Sequence, residues 1–130
     1  MASGLDPSGW IVTVECDPER ASAARAVHIA DPRVQVLTAD WTELQVHGPF
    51  DIFFCDGGGK RTEPEAVIAM LAPGGLLVLD DFTPCSSWPP LHDGRLDALR
   101  LRYLCHEKLV ATQVAVSPEE TCILAARRSD

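Results

Sequence analysis

Acidic residues follow four short apolar runs in this chain, at the points where parallel strands would end. Glu15 follows WIVTV, Asp40 follows VQVLTA, Asp56 follows FDIFFC, and the pair Asp80 and Asp81 follows LLVL. In parallel α/β sheets, ligands related to nucleotides bind at the carboxyl ends of the strands. An acid there commonly binds the two hydroxyls of a ribose, and we predict this role for Glu15. The alternative is a solvated strand-end acid that favours the N-terminus of the next helix.

The acids Asp56, Asp80 and Asp81 end two neighbouring strands in this interpretation. Three clustered carboxylates repel one another unless a proton or a cation intervenes. Carboxylate oxygens are the ligands that hard divalent cations prefer, and a bound Mg²⁺ would hold two neighbouring substrate oxygens. The sequence therefore predicts a metal site at these three residues, with capping and hydration of strand ends as the alternative.

Alternating strand and helix patterns position these acids. We predict strands at residues 11–15, 34–39, 50–55 and 76–79, and terminal strands at 109–116 and 121–126. Helices are predicted from Pro18, with Asp17 as the cap, to residue 30, from a Thr62–Glu65 capping box, and over 95–104. Gly57, Gly58 and Gly59 predict a loop. The fold class is α/β: a doubly wound, mostly parallel Rossmann-like sheet with an antiparallel C-terminal strand pair and with the first βα unit missing.

The length and charge of the chain limit its function. Its 130 residues predict a single domain, residues 1–130. The net charge of −8 disfavours nucleic acid and anionic membranes as partners, because both require basic surfaces, and it is compatible with a positively charged cofactor. No apolar stretch reaches the ~20 residues that a membrane span needs.

Cysteine usage indicates a reducing compartment. The five cysteines are odd in number and include no CxxC pair, and Cys16 and Cys55 fall in apolar runs. This pattern is typical of buried cysteines that act as small hydrophobic residues in the cytoplasm, which is where we expect the protein.

The pieces VTVECDPERASAARA, VQVLTADWTEL, FDIFFCDGGGK and MLAPGGLLVLDDFTP, followed by the terminal strand pair, resemble the class I S-adenosylmethionine-dependent methyltransferases. The resemblance extends over residues 11–127 and is nearest to small-molecule O-methyltransferases of the catechol type. The family's first strand and Gly-rich turn, which approach the methionine part of the cofactor, have no counterpart. That strand lies between those matching 11–15 and 50–55, so these two must pair directly, leave a gap or borrow a strand. The chain therefore reads as N-terminally truncated.

The resemblance implies how S-adenosylmethionine would bind. Glu15 would bind the ribose, and Cys16 would pack on the adenine face, although a plain core cysteine is the alternative. Asp40 would accept a hydrogen bond from the adenine amine, and Trp41 would stack on the ring or supply its backbone N–H. The alternative is that Asp40 caps a helix and Trp41 covers a hydrophobic core. Asp56 is also predicted to contact the cofactor.

The resemblance further implies metal ligands and a general base. The catechol-type ligands are Asp, then Asp-Asn, which correspond here to Asp56, Asp80 and Asp81, so the last ligand is charged rather than neutral. The family's base is a lysine three residues after the first acid, whereas Lys60 lies four residues after Asp56. Lys60 and Asp56 are the predicted catalytic residues, and Lys60 would need its pKa lowered by burial or by the metal. The alternative for Lys60 is a solvated loop lysine beside Arg61.

We therefore predict a methyltransferase that transfers a methyl group to a hydroxyl of a small molecule, with weak or no catalysis by these 130 residues. The alternative is a non-catalytic interaction module, a homo-oligomer formed through the sheet edge that the missing strand would expose. A nicotinamide-dependent Rossmann enzyme is disfavoured by the LAPGG turn and the terminal strand pair. A phosphoacceptor receiver domain is disfavoured because its paired acids should precede the lone acid.

Overall fold

A computed structural model describes residues 4–129. The chain divides into two compact units, residues up to 47 and residues from 48 onward, and each is described by itself. The strands are β1 (Ile11–Glu15), β2 (Val34–Thr38), β3 (Phe50–Cys55), β4 (Leu71–Phe82), β5 (Leu91–His92), β6 (Arg95–Leu96), β7 (Leu109–Ala115) and β8 (Thr121–Arg127). The helices are α1 (Pro18–His28), α2 (Gly59–Thr62), α3 (Pro64–Ala69) and α4 (Ala98–Leu104), with a 3₁₀ helix at Trp41–Val46.

The first unit is a βαβ arrangement. Strands β1 and β2 pair in parallel, and α1 connects them. Helix α1 begins where predicted because the Asp17 side chain accepts hydrogen bonds from the backbone N–H groups of Glu19 and Arg20, at 2.8 and 3.2 Å. Pro18 occupies its first turn, where a missing N–H costs nothing.

The second unit is built on a four-stranded sheet with the strand order β3-β4-β8-β7. Strand β4 pairs in parallel with β3 and antiparallel with β8, and β7 pairs antiparallel with β8. The α/β class and the antiparallel C-terminal strand pair are thus confirmed. In the described part of the chain, β1 and β3 belong to different sheets.

The core of the second unit lies on one face of this sheet. Alternate residues of β4 and β8, including Leu77, Leu79 and Ile123, have no exposed surface. Helices α3 and α4 contribute Val67 and Tyr103 to the same core, and both are fully buried. The period-2 pattern of a strand therefore places one set of side chains against helices and leaves the other set on the opposite face.

The predicted capping box at Thr62 is wrong. Helix α3 begins at Pro64, and its N-cap residue, Glu63, makes no side-chain capping hydrogen bond. Pro64 disfavours the helical conformation at the preceding residue, and Glu63 adopts φ −139°. The helical stretch is thereby divided in two, and the first part, α2, begins at Gly59 within the predicted glycine loop.

The segment after β4 also differs from its prediction. A short hairpin, β5–β6, precedes α4, which begins at Ala98 rather than at residue 95. The Asp97 side chain caps this helix by accepting a hydrogen bond from the backbone N–H of Arg100 at 3.0 Å. Pattern alone missed this start because Leu96 extends the helical spacing of apolar residues one turn too far.

Gly75 fixes the approach of β4 to β3. A Cβ atom at Gly75 would lie 2.7 Å from the backbone oxygen of Phe50 and 2.9 Å from that of Ala72. The register between β3 and β4 shifts at this point, between the pairs Phe50–Leu71 and Ile52–Leu76. Only glycine fits between these carbonyl groups, which explains the glycine of the LAPGG turn.

We expect Gly75→Ala to lower the free energy of unfolding by about 1–3 kcal/mol, because the backbone of β3 or β4 must shift to accept the methyl group. Urea unfolding followed by circular dichroism measures this change. Gly4→Ala is the matched control, since no atom lies within 4 Å of the position that a Cβ atom at residue 4 would take. Equal urea midpoints for the two variants would contradict the assignment.

Candidate functional site

Glu15 lies at the carboxyl end of β1, as the sequence predicts, and is partly buried. Its Oε1 atom accepts a hydrogen bond from the backbone N–H of Asp17 at 2.9 Å, and the Cys16 thiol lies 3.6 Å from the same atom. The carboxylate therefore supports the turn into α1, and among the described residues these contacts use one of its two oxygens. Each carboxylate oxygen accepts more than one hydrogen bond, so Glu15 keeps capacity for a ligand.

Asp40 caps the 3₁₀ helix that begins at Trp41. Its Oδ1 atom accepts from the Thr42 backbone N–H at 3.0 Å and from the Thr42 hydroxyl at 2.8 Å. These backbone and side-chain hydrogen bonds lower the pKa of the Asp40 carboxyl, so it is ionised at neutral pH. Asp40 therefore caps a helix, as the alternative interpretation predicts, and ligand binding would be an additional role.

Cys16 follows Glu15 in the chain, and Trp41 follows Asp40. Trp41 is partly buried, and Cys16 is exposed. The prediction that Cys16 is a buried, hydrophobic cysteine is wrong, because the β1 strand ends before it; Cys55, within β3, is buried as predicted. An open groove of about 600 Å³ lies beside Asp40, and Leu37, Glu43 and His47 contribute to its lining.

In the second unit, Asp56, Asp80 and Asp81 lie close together. One carboxylate oxygen from each of them lies within 4.8 Å of the others. Asp56 follows β3, and Asp80 and Asp81 belong to the carboxyl end of the adjacent strand β4, so the parallel pairing of β3 and β4 brings them to one edge. Asp81 adopts a left-handed backbone conformation, with φ 61°, which is uncommon outside glycine, Asn and Asp.

Lys60 joins this acidic cluster from helix α2. Its residue exposure is only 2%, and its Nζ atom donates to the Asp80 backbone oxygen at 2.8 Å and to Asp81 Oδ2 at 3.3 Å. The alternative of a solvated loop lysine is therefore wrong. A buried amine with two oxygen acceptors is stabilised as an ammonium ion, so its first role here is to offset the negative charge of the carboxylates.

The carboxyl groups of Asp56 and Asp81 have pKa values that are shifted in opposite directions. A hydrogen bond with Asp81, together with desolvation, raises the pKa of Asp56, and hydrogen bonds from Asp56 and Lys60 lower the pKa of Asp81. A protonated Asp56 would thus donate to an ionised Asp81. Repulsion between the two neighbouring carboxylates adds to the rise in the Asp56 pKa, since two such groups in contact cannot both ionise easily.

Two residues of α4, Tyr103 and Arg100, form hydrogen bonds to the segments that carry this cluster, and the sequence analysis did not predict either of them. The Tyr103 hydroxyl donates to the Lys60 backbone oxygen at 2.9 Å. The guanidinium of Arg100, fully buried, donates to the Thr83 backbone oxygen and to Gln113, and its Nε donates to Asp97 at 3.0 Å. The only signal in the sequence is a polar residue on the apolar face of a predicted helix, which does not identify its partners.

Solved structures match nearly the whole of this chain. A cofactor-bound protein from MTB, Rv0187, superposes with a TM-score of 0.75 at 24% identity, covering 95% of this chain and 64% of that one. An O-methyltransferase from Bacillus cereus in complex with SAH gives 0.75 at 21% identity, covering 98% and 66%. TomG, a SAM-bound O-methyltransferase from Streptomyces achromogenes involved in tomaymycin synthesis, gives 0.70 at 19%, covering 98% and 66%. No protein-family profile and no curated protein matches the sequence.

This chain has the methyltransferase fold. The resemblance inferred from the ordered sequence pieces is confirmed at the level of the fold. The chain spans 64–66% of the length of these three structures. Among the described residues of this methyltransferase fold, no helix is long and apolar enough to cross a membrane.

We expect Asp81→Asn to lower the pKa of Asp56, because the substitution removes the carboxylate that favours the protonated form of Asp56. In the wild type, the hydrogen bond requires protonated Asp56 and ionised Asp81. It therefore exists above the lowered pKa of Asp81 and below the raised pKa of Asp56, and is lost on either side. Carboxyl ¹³C shifts followed by NMR during a pH titration, with a chelator present, measure both groups.

Asp93→Asn is the matched control for this titration. Asp93 is also exposed and also has a positive φ, 51°, so the substitution makes the same chemical change away from the acidic cluster. The Asp93 variant should leave the Asp56 titration unchanged. An Asp56 that titrates in the ordinary Asp range in the wild type would refute the raised pKa and the hydrogen bond to Asp81.

Proposed function

We propose that this protein is an S-adenosylmethionine-dependent methyltransferase that transfers a methyl group to a hydroxyl of a small molecule. The observation that carries the proposal is the likeness of nearly the whole chain to O-methyltransferase structures bound to SAH and SAM. A fold alone does not determine an activity, so the proposal also depends on the acids at the strand ends. The five free thiols suit the reducing cytoplasm that the sequence predicts.

The cofactor would be held in the first unit by Glu15, Cys16, Asp40 and Trp41. Glu15 fits a ribose because its carboxylate keeps unused acceptor capacity while it also supports the turn into α1. Asp40 fits an adenine amine for the same reason, since both of its described hydrogen bonds reach Oδ1. The exposed Cys16 thiol adds a soft apolar surface beside Glu15.

A divalent cation would be held in the second unit by Asp56, Asp80 and Asp81. Their hard oxygen donors are the ligands that Mg²⁺ prefers. One carboxylate oxygen of each residue lies within 4.8 Å of the others, so the three side chains could converge on one ion. A bound Mg²⁺ supplies Lewis-acid polarisation of an acceptor hydroxyl.

Proton removal from the acceptor hydroxyl would fall to Asp56 or Lys60. Ionised Asp56 accepts a proton readily, because its raised pKa makes it a stronger base than an ordinary Asp. Lys60 is the alternative base, and its Nζ atom lies in the same cluster, hydrogen-bonded to the Asp80 backbone oxygen and to Asp81.

The second candidate function is a non-catalytic interaction module. Strand β3 is at an edge of the four-stranded sheet, hydrogen-bonded to a strand on one side only among the described residues. An unprotected edge strand presents backbone groups that can pair with another chain, which favours a homo-oligomer. This candidate needs neither cofactor nor metal.

Calorimetric titration with S-adenosylhomocysteine tests cofactor binding. We expect micromolar binding by the wild type and an at least ~10-fold weaker affinity for Glu15→Gln, since hydrogen bonds to a charged group contribute about 1.5–3 kcal/mol. Glu107→Gln makes the same charge change at an exposed position elsewhere and should bind like the wild type. A folded wild-type chain that does not bind would reject the cofactor proposal for these 130 residues.

Titration with Mn²⁺, a paramagnetic substitute for Mg²⁺, tests the metal proposal. We expect saturable broadening of the Asp56 and Asp81 backbone signals in NMR spectra, and loss of saturation in Asp80→Asn. Asp93→Asn should behave like the wild type, because Asp93 is outside the acidic cluster. Absence of saturation up to about 10 mM, beyond the weakest functional Ca²⁺ sites, would count against a metal.

A further inference from the structure

The backbone oxygen of Lys60 lies at a point where the helical hydrogen bonding is interrupted. In an α-helix this oxygen would accept a hydrogen bond from the backbone N–H four residues further on. That residue is Pro64, which has no backbone N–H. The N–H of the preceding residue, Glu63, donates to the Gly59 oxygen at 3.0 Å. The Lys60 oxygen therefore needs a donor from another part of the chain.

The Tyr103 hydroxyl is that donor. It reaches the Lys60 backbone oxygen at 2.9 Å, and both residues are almost completely buried. A buried carbonyl oxygen without a partner is destabilising, and a buried tyrosine hydroxyl has the same need for a partner. Burial also raises the pKa of Tyr103, so its hydroxyl keeps its proton at neutral pH. Each group thus satisfies the other.

Helix α4 also holds the segment that carries Asp81, the partner of the Lys60 ammonium. Arg100 lies one turn before Tyr103 on this helix and is fully buried as well. Its guanidinium donates to the backbone oxygen of Thr83, two residues after Asp81. One face of α4 is therefore hydrogen-bonded to both chain segments that meet in the ion pair between Lys60 and Asp81, whose atoms lie 3.3 Å apart.

We propose that Tyr103 is a positioning residue of the candidate site: its hydroxyl replaces the N–H that Pro64 lacks and holds Lys60 where the ammonium reaches Asp80 and Asp81. The inference deepens the proposed function and rests on it for the use of Lys60 in proton transfer. The contact itself does not depend on cofactor or acceptor. Tyr103 does not reach the reacting groups, so its effect passes through the Lys60 backbone.

Amine acylation tests the position of Lys60, because the chain contains only one other lysine, the exposed Lys108. The folded chain is treated with acetic anhydride, and peptide mass spectrometry gives the rate at each lysine. We expect Tyr103→Phe to raise the rate at Lys60 about 10-fold relative to Lys108, since the substitution keeps the ring and leaves one buried oxygen without its hydrogen bond.

A spectroscopic signal of the folded state complements the acylation rates. The Lys60 ammonium donates to two oxygens and is shielded from water, so its protons should exchange slowly enough to give a ¹H–¹⁵N NMR signal. Tyr103→Phe should broaden or remove this signal, because a displaced ammonium exchanges its protons faster with water. The exposed Lys108 is the internal reference in the same spectrum.

A core variant separates positioning from general destabilisation. Ile68→Val removes one methyl group from a buried side chain of α3 and removes no hydrogen bond. The two variants are compared at equal free energy of unfolding, adjusted with urea. Under these conditions Ile68→Val should leave the Lys60 acylation rate well below that of Tyr103→Phe and should keep the ammonium signal.

Pro64→Ala in the Tyr103→Phe background tests the replacement of the missing N–H. The substitution gives residue 64 a backbone N–H and lifts the restriction on Glu63, so the helix can continue and donate to the Lys60 oxygen. The double variant should therefore return the acylation rate and the ammonium signal toward those of the wild type. A role of the Tyr103 ring in packing alone would produce no such coupling between the two positions.

Three results would overturn the proposal. The first is a Tyr103→Phe variant whose Lys60 rate and signal match the wild type. The second is an equal effect of Ile68→Val at matched free energy of unfolding. The third is a double variant in which Pro64→Ala restores nothing. A chain that binds no S-adenosylhomocysteine would reject the proposed function but not the positioning role of Tyr103, because these measurements need no ligand.

Discussion

The candidate site of the second unit depends on one buried ammonium group. Lys60 is nearly excluded from solvent, and an unpaired charge in that position would cost several kcal/mol. The charge is tolerated because the Asp80 backbone oxygen and the Asp81 carboxylate accept its hydrogen bonds. Tyr103 in turn fixes the Lys60 backbone oxygen from α4. The end of β4, helix α2 and helix α4 are therefore held together at a single residue.

This arrangement changes how the acidic cluster should be interpreted. Three adjacent carboxylates in a sequence predict a cation, and the structure already contains one in the Lys60 ammonium, which donates to Asp81. A divalent metal would have to compete with the ammonium for Asp81, and with the proton that the raised pKa of Asp56 favours on that residue. The Asp81 carboxylate lies within reach of both Lys60 and Asp56, so a metal bound by the acidic cluster and the Lys60 ammonium would share Asp81 as a partner.

The sequence predicted the elements whose limits are set by local chemistry. The bounds of β3 were exact, since Gly48 and Pro49 precede its apolar run and Asp56 follows it. The start of α1 was also correct, because Asp17 caps it and Pro18 fills its first turn. Where two local signals competed, the prediction failed: Pro64 excluded the helical conformation at Glu63 and overrode the expected capping box.

The site was predicted less completely, because its decisive contacts join distant parts of the chain. Asp56, Asp80 and Asp81 could be grouped from sequence, since neighbouring parallel strands end at one edge. The burial of Lys60 could not, because it depends on Tyr103, 43 residues away, and on a helix that begins inside a run of glycines. Nothing in the local pattern GGGKR distinguishes a buried lysine from an exposed one.

The strand-end acids of the first unit show that structural and functional roles need not exclude each other. Glu15 supports the turn into α1, and Asp40 caps a 3₁₀ helix. These are the purely structural roles that can be expected for any acid that follows a strand. In both residues the described contacts reach one carboxylate oxygen. A carboxylate pinned through one oxygen loses its rotational freedom, and the second oxygen is then presented in a fixed direction at no further entropic cost. Capping of this kind is therefore preorganisation for a ligand with hydroxyl or amine donors, and it is compatible with the methyltransferase fold whether or not the chain retains the activity.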